Sequence, residues 1–179
     1  NVLDGGALGW AAAGYELFKG VNVPSKAFGE MVEHEMGTPS LSAEELKGLI
    51  DAGEDMVVLD GRTRGEYARM NIPTARSCPN AELGYRIDGI APSPDTRIVI
   101  NCAGRTRSII GAQTLINLGV PNPVMALRNG TQGWQLAGLT LENGSVPEEI
   151  SNLGDEDLAR VRARAKRFAE ENDVPRIGI

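Results

Sequence analysis

Cys102 closes the apolar run "RIVIN" at residues 97 to 101 and is followed by "AGRTRS". A thiol, two guanidinium groups (Arg105 and Arg107), a glycine (Gly104) and a serine (Ser108) thus share seven positions. The thiolate is the reactive form of cysteine, and nearby permanent cations favour it. Arginine also receives anions through a planar fork of donors. From Thr106 onward the apolar spacing turns helical, "TRSIIGAQTLINLG", with a glycine stop. The first N–H groups of such a helix point back at the loop, and its dipole favours negative charge there. The loop therefore answers two needs, activating a nucleophile and receiving an anionic substrate. Cys102 is the expected nucleophile. Ala103, Gly104, Arg105, Thr106, Arg107 and Ser108 are the expected substrate-binding loop. A buried core thiol is the alternative, but a core position beside unpaired charges is costly.

Other candidates carry less. Cys78 precedes Pro79 and reads as a small buried apolar residue. His34 is the single histidine, which excludes Cys–His and Ser–His mechanisms unless His34 is itself the partner. Asp60 and Arg62 read as a structural ion pair or a cap at a strand end, with a catalytic role as the alternative, and Trp134 as a packing anchor.

The elements that must position the loop follow from periodicity. Ser42 caps a helix over "SAEELKGLI", with Glu45 placed for a capping box. "MVVLD" (56–60), "RIVIN" and "PVMAL" are short strands, and "TRGEYARM" makes one or two helical turns. "TQGWQLAG" is a short helix, while "NIPTARSCPN" is extended or looping. Strands alternating with helices predict an α/β fold with a central parallel sheet flanked by helices on both faces. Ligands in such sheets bind beyond the carboxyl ends of the strands, where Cys102 lies.

The net charge is −6, so nothing global recommends nucleic acid or an anionic membrane. No apolar run approaches the roughly 18 residues of a membrane span. Two cysteines and no visible secretory leader suit a reducing compartment, giving an expectation of the cytoplasm. The chain opens on Asn1, which leaves a removed leader open. The bases at 160, 162, 164, 166 and 167 read as a solvated helix face, opposite the apolar stripe Leu158, Val161, Ala165 and Phe168.

A repeat joins the two ends. "LDGGALGWAAAGYEL" (3–17) and "LRNGTQGWQLAGLTL" (127–141) align at an offset of 127 − 3 = 124, with Trp10 on Trp134 and Gly14 on Gly138. The two tryptophans of the chain both match, so chance is a poor account. Residues 1–22 are expected to be the tail of a preceding repeat, 23–39 a linker with a short helix across Ser25 to Glu35, 40–144 the main domain, and 145–179 a linker and amphipathic helix toward a following domain. The apolar residues of the first twenty are expected to pack on the main domain or a neighbouring copy, which allows a homodimer.

"CAGRTRS" resembles the active-site loop of the rhodanese superfamily, a cysteine with an arginine five positions on. "VVLDGRTRGEY" resembles its Asp-x-Arg followed by Glu-Tyr or Glu-Phe, here Asp60, Arg62, Glu66 and Tyr67. "NIPTARSCPN" resembles its His-Ile-Pro-Gly-Ala segment with a downstream asparagine, here Ile72, Pro73, Ala75 and Asn80. The repeated end resembles its closing Gly-Gly-x-x-x-Trp-x-x-x-Gly. Three positions depart: Asn71 stands where histidine is usual, and Thr74 and Asn129 where glycine is usual.

The resemblance implies sulfur transfer without metal or organic cofactor. Thiolate Cys102 takes sulfane sulfur from thiosulfate or a similar small anionic donor and passes it to cyanide or a thiol. The N–H groups of residues 103 to 107 would cradle the persulfide. Arg107, at the family's arginine position, is expected to be held by the fold, and Arg105 to reach outward to the donor. The other expected partners are further rhodanese domains of a tandem parent. Two rivals remain. A phosphatase or arsenate reductase of this fold needs a loop one residue longer, with arginine where Ser108 stands. A binding or regulatory module without turnover commonly loses the cysteine.

Overall fold

The computed structural model describes residues 5–14, 24–149 and 153–175. Two short helices come first, α1 (Gly6–Ala12) and α2 (Pro24–Met36). There follow β1 (Ser40–Leu41), α3 (Ala43–Ala52), β2 (Met56–Asp60), α4 (Arg64–Arg69), β3 (Arg76–Ser77) and α5 (Asn80–Ile90). The chain continues through β4 (Arg97–Asn101), α6 (Thr106–Asn117), β5 (Val124–Leu127), α7 (Gly130–Leu136) and α8 (Asp155–Glu171). The five strands form one parallel sheet in the order β1-β5-β4-β2-β3.

Both faces are covered, as expected, because the central strands are apolar on both. Leu59, Ile98, Ile100 and Ala126 meet Leu83 and Ile87 of α5 and Ile109 and Leu115 of α6. Val58, Val99 and Leu127 meet Leu46 of α3, Tyr67 of α4 and Trp134 of α7 on the other face. Adjacent residues thus serve opposite layers, the period of a strand. Register puts Asp60 beside Asn101 at the carboxyl ends of β2 and β4, directly before Cys102.

Local signals match local structure. Glu45 N–H donates to Ser42 Oγ at 3.1 Å and Ser42 N–H to Glu45 Oε2 at 2.6 Å, the reciprocal pair of a capping box. Thr63 and Glu66 repeat the device on α4. Trp134 is 1 % exposed, and its indole N–H donates to Thr140 O. The expected extended stretch 71–80 contributes β3, and α5 follows in a region without an assigned periodicity. Asn71 is buried, with its amide donating to Ser145 Oγ at 2.7 Å. The other two departures sit at left-handed residues, Thr74 at φ 70° and Asn129 at φ 56°. That is the conformation glycine adopts without cost.

The segment expected as a linker is largely α2, seated against α6. A Cβ on Gly29 would lie 2.9 Å from Thr106 Cγ2, so glycine permits the close crossing. On α8, Leu158, Val161 and Phe168 are half-buried but Ala165 is exposed, so the stripe is narrower than expected. Arg164 pairs with Asp88 of α5 at 2.9 Å, tying α8 to this domain. Arg160, Lys166 and Arg167 pair with acids on the same helix. Among the described residues, no helix is long and apolar enough to cross a membrane.

The terminal repeat is also conformational. Gly9 N–H bonds Gly5 O, as Gly133 N–H bonds Asn129 O. Gly14 N–H bonds Ala11 O, as Gly138 N–H bonds Gln135 O, both at 3.0 Å. Gly14 and Gly138 share positive φ, 82° and 75°. Leu8 is 82 % exposed, so its side chain is not packed on the main domain. Leu3, Tyr15, Leu17 and Phe18 lie outside the described residues.

Candidate active site

Three elements build the loop after β4. Its carbonyls are taken by α7: Thr131 N–H and Oγ1 donate to Cys102 O at 2.7 and 3.0 Å, and Gln132 N–H donates to Ala103 O at 3.0 Å. These are first-turn donors of α7, which have no intrahelical acceptor. The approach demands glycine at 130, where φ is 50° and a Cβ would lie 2.2 Å from Cys102 O. On the far side, Asn80 Nδ2 donates to Arg107 O at 2.7 Å. No hydrogen bond among the described residues engages the N–H groups of Ala103, Gly104 or Arg105, and Thr106 and Arg107 open α6. These N–H groups are therefore left without a protein acceptor among the described residues.

Cys102 is 1 % exposed. It lines an open cavity of about 730 Å³, together with Ala103, Gly104, Arg105, Thr106 and Arg107. Cys102 Sγ lies 3.6 Å from Ser108 Oγ, which is itself within bonding distance of the carbonyls of Arg105 (2.7 Å) and Leu127 (3.1 Å). Ser108 is buried behind the thiol and does not line the cavity. The Cys102 thiol donates to this hydroxyl, whose own proton faces the two carbonyls.

The arginines differ as their positions suggest, with one correction. Arg107 Nη1 and Nη2 donate to both carboxylate oxygens of Glu66, at 2.9 and 2.8 Å. Those bonds, together with those from Thr63, hold the Glu66 carboxyl down at about 2, against burial, which raises it. Arg105 is not free to reach outward. Its guanidinium is paired with Glu33 at 3.0 Å and Glu30 at 3.5 Å, both on α2. The reason is tertiary: α2 crosses α6 where the loop ends.

Asp60 is fully buried and pairs with Arg62, which is 4 % exposed. Asp60 accepts from Arg62 Nε (2.8 Å), Arg62 Nη2 (2.7 Å) and Asn101 Nδ2 (3.0 Å), and Arg62 Nη2 also donates to Met70 O. Arg62 also lines the cavity. Cys78 is buried against the opposite core, and burial pushes its thiol up to about 12. His34 is exposed on α2 beside Glu35. Sequence reasoning missed Ser25, Lys26, Met70, Thr131, Gln132 and Gln135 as lining residues. Thr131 and Gln132 were within reach, since the repeat marks their element. Nothing local marks Lys26.

Cys102 thus lies at the carboxyl end of a parallel strand, where such sheets bind ligands, beside backbone N–H groups without acceptors among the described residues and two ion-paired arginines. Residues 42–137 match the model of the rhodanese-like domain family, and the chain belongs to that family. Among solved structures it is similar to a thiosulfate sulfurtransferase from Pseudomonas aeruginosa, at 52 % identity and TM-score 0.84 over 98 % of this chain. The match covers 33 % of that protein, so this chain spans about a third of its length. It is also similar to RPA3614 of Rhodopseudomonas palustris, described as of unknown function and a possible tyrosine phosphatase, at 27 % identity and TM-score 0.56. That match covers 71 % of this chain and all of the other. BH2092 of Bacillus halodurans, at 24 % identity and TM-score 0.52, shares the fold over 72 % of this chain and 97 % of its own. No curated protein matches the chain.

Proposed function

We propose that the protein is a sulfurtransferase that carries sulfane sulfur on Cys102, from thiosulfate or a similar donor to cyanide or a thiol. The observation that carries this reading is the placement of Cys102 in the lining of an open cavity, in a loop where the N–H groups of Ala103, Gly104 and Arg105 lack acceptors among the described residues. The Cys102 thiolate attacks the outer sulfur of thiosulfate. The new S–S bond forms as the old one breaks, and its electron pair leaves with sulfite. The terminal sulfur of the persulfide sits among the N–H groups of residues 103 to 107, where oriented amides favour negative charge. Cyanide then attacks that sulfur, departs as thiocyanate and restores the thiolate.

The residues divide the work. Ser108 Oγ accepts from the Cys102 thiol and fixes its position, and Arg107, fixed by Glu66, lends positive potential from a constant position. The chain is also proposed to belong to a tandem protein, because α1 repeats the hydrogen bonds and left-handed glycine that close α7. The test is intact mass. Thiosulfate should add one sulfur to the protein, cyanide should remove it, and Cys102→Ser should abolish the gain. A stable adduct with phosphate or vanadate and no sulfur gain would favour phosphatase chemistry instead.

A further inference from the structure

Helix α2 precedes the matched family region, 42–137, yet it walls the active-site cavity. Ser25 and Lys26 line that cavity from its first turn. Gly29 brings the helix to within contact of Thr106, and Glu30 and Glu33 hold Arg105. Four cations line the cavity: Lys26, Arg62, Arg105 and Arg107. Three are committed, Arg62 to Asp60, Arg107 to Glu66, and Arg105 to the two glutamates of α2. Lys26 has no carboxylate within 4.0 Å among the described residues, although Glu30 stands one turn on. Among the described residues, the cavity-lining cation without a carboxylate partner is therefore supplied by α2, and not by the loop.

The cavity is also larger than a simple inorganic donor needs. The five heavy atoms of thiosulfate, at roughly 30 Å³ each, leave most of its 730 Å³ open. The remaining lining is mixed, with Met70 for apolar contact and the amides of Gln132 and Gln135 for hydrogen bonds. That suits an organic body better than a second small ion.

We infer that Lys26 is a specificity-determining residue that binds a carboxylate at the far end of an organic persulfide while Cys102 takes its outer sulfur. The inference rests on the sulfurtransferase reading of Cys102. In the step, the Cys102 thiolate attacks the outer sulfur of R–S–SH. The Cys102 S–S bond forms, the donor's S–S bond breaks, and its electron pair leaves with R–S⁻. The proton stays on the transferred sulfur. A carboxylate on R is then held by Lys26.

The test compares two donors of equal length on the full chain, the persulfides of 3-mercaptopropionate and of 3-mercaptopropanol. They differ in the charge of the tail. Lys26 is exposed, so its replacement leaves the core intact. Lys26→Ala should raise KM for the carboxylate donor about two- to fivefold, the range of one solvent-facing ion pair. Turnover should hold, KM for the alcohol donor should stay, and Lys26→Arg should restore most of the loss. An unchanged KM for the carboxylate donor, or an equal rise for both, overturns the assignment. Intact mass of the wild type separates the two levels: no sulfur gain on Cys102 from either donor overturns the sulfurtransferase reading and this inference with it. A normal gain with an indifferent Lys26→Ala overturns this inference alone.

Discussion

Arg107 and Glu66 lie 41 residues apart and meet through two parallel hydrogen bonds, 2.9 and 2.8 Å long. Glu66 also closes the capping box of α4 through Thr63. The first turn of α6 is thereby pinned to the first turn of α4 across the end of the sheet. Replacing Glu66 by Gln should free the guanidinium and lower turnover with every donor. Arg107→Ala should lower it by roughly ten- to a hundredfold, the worth of one charge-assisted contact. Arg105→Ala should cost less, because its charge is already answered by Glu30 and Glu33. Steady-state kinetics on the three variants decide, and equal losses at both arginines would contradict the clamp.

The same pair sets an acid signature. The Glu66 carboxyl is held at about 2, below its ordinary 4.5, chiefly by Arg107. A depressed carboxyl contributes stability that is full above about 4.5 and is lost as pH falls toward 2. Both side chains are more than a third exposed, so solvent screening limits the contribution to about 1 kcal/mol or less. Urea melts of wild type and Glu66→Gln should differ at pH 6 and converge near pH 2. A gap that widens toward acid would reverse the sign and refute the linkage.

The two thiols should separate cleanly. Cys102→Ser should abolish thiocyanate formation with an unchanged circular dichroism spectrum, since the other thiol, Cys78, is fully buried. Cys78→Ser should keep activity and lose some stability. Its thiol is fully buried and stays protonated up to about pH 12, so it should resist iodoacetamide in the folded state. Peptide mapping after alkylation gives the answer, and label on Cys78 at Cys102-like rates would count against this arrangement.

Arg62→Met should be among the most damaging changes away from the thiol. It leaves the Asp60 carboxylate buried beside Asn101 without its ion partner. Breaking one side of a buried pair costs about 3–5 kcal/mol. The double variant with Asp60→Asn should recover part of that loss. Thermal melts of the two would show it, and a single variant as stable as wild type would dismiss the pair as a support.

Thr74 offers the opposite experiment. It is a β-branched residue at φ 70°, on an exposed turn. Thr74→Gly should relieve about 1 kcal/mol of backbone strain. A gain of that size raises Tm by about 2–4 °C in a chain of this length. A lower Tm would mean that the threonine contributes more than its backbone costs.

The amino-acid order by itself determined the elements whose signals are local. β2 and β4 are legible as apolar runs, the cap at Ser42 as a spacing of three, and the Cys102 loop as a strand–thiol–helix junction. The terminal repeat is legible because a rare tryptophan marks both copies. Asn129 shows the limit: the letter departs from glycine, yet asparagine tolerates the left-handed conformation that the turn requires. Helix α5 was not legible, although Leu83, Ile87 and Ile90 give it a buried face, because Gly84 and Gly89 interrupt the pattern. What tertiary structure alone decided is which charge answers which. Glu66 reaches Arg107 across 41 residues and Glu33 reaches Arg105 across 72. Only the sheet order β5-β4-β2, with α2 laid across α6, makes neighbours of residues so far apart in the chain. Spacing along a chain reports short-range contacts, while a cavity is assembled from elements that meet only after the sheet has formed.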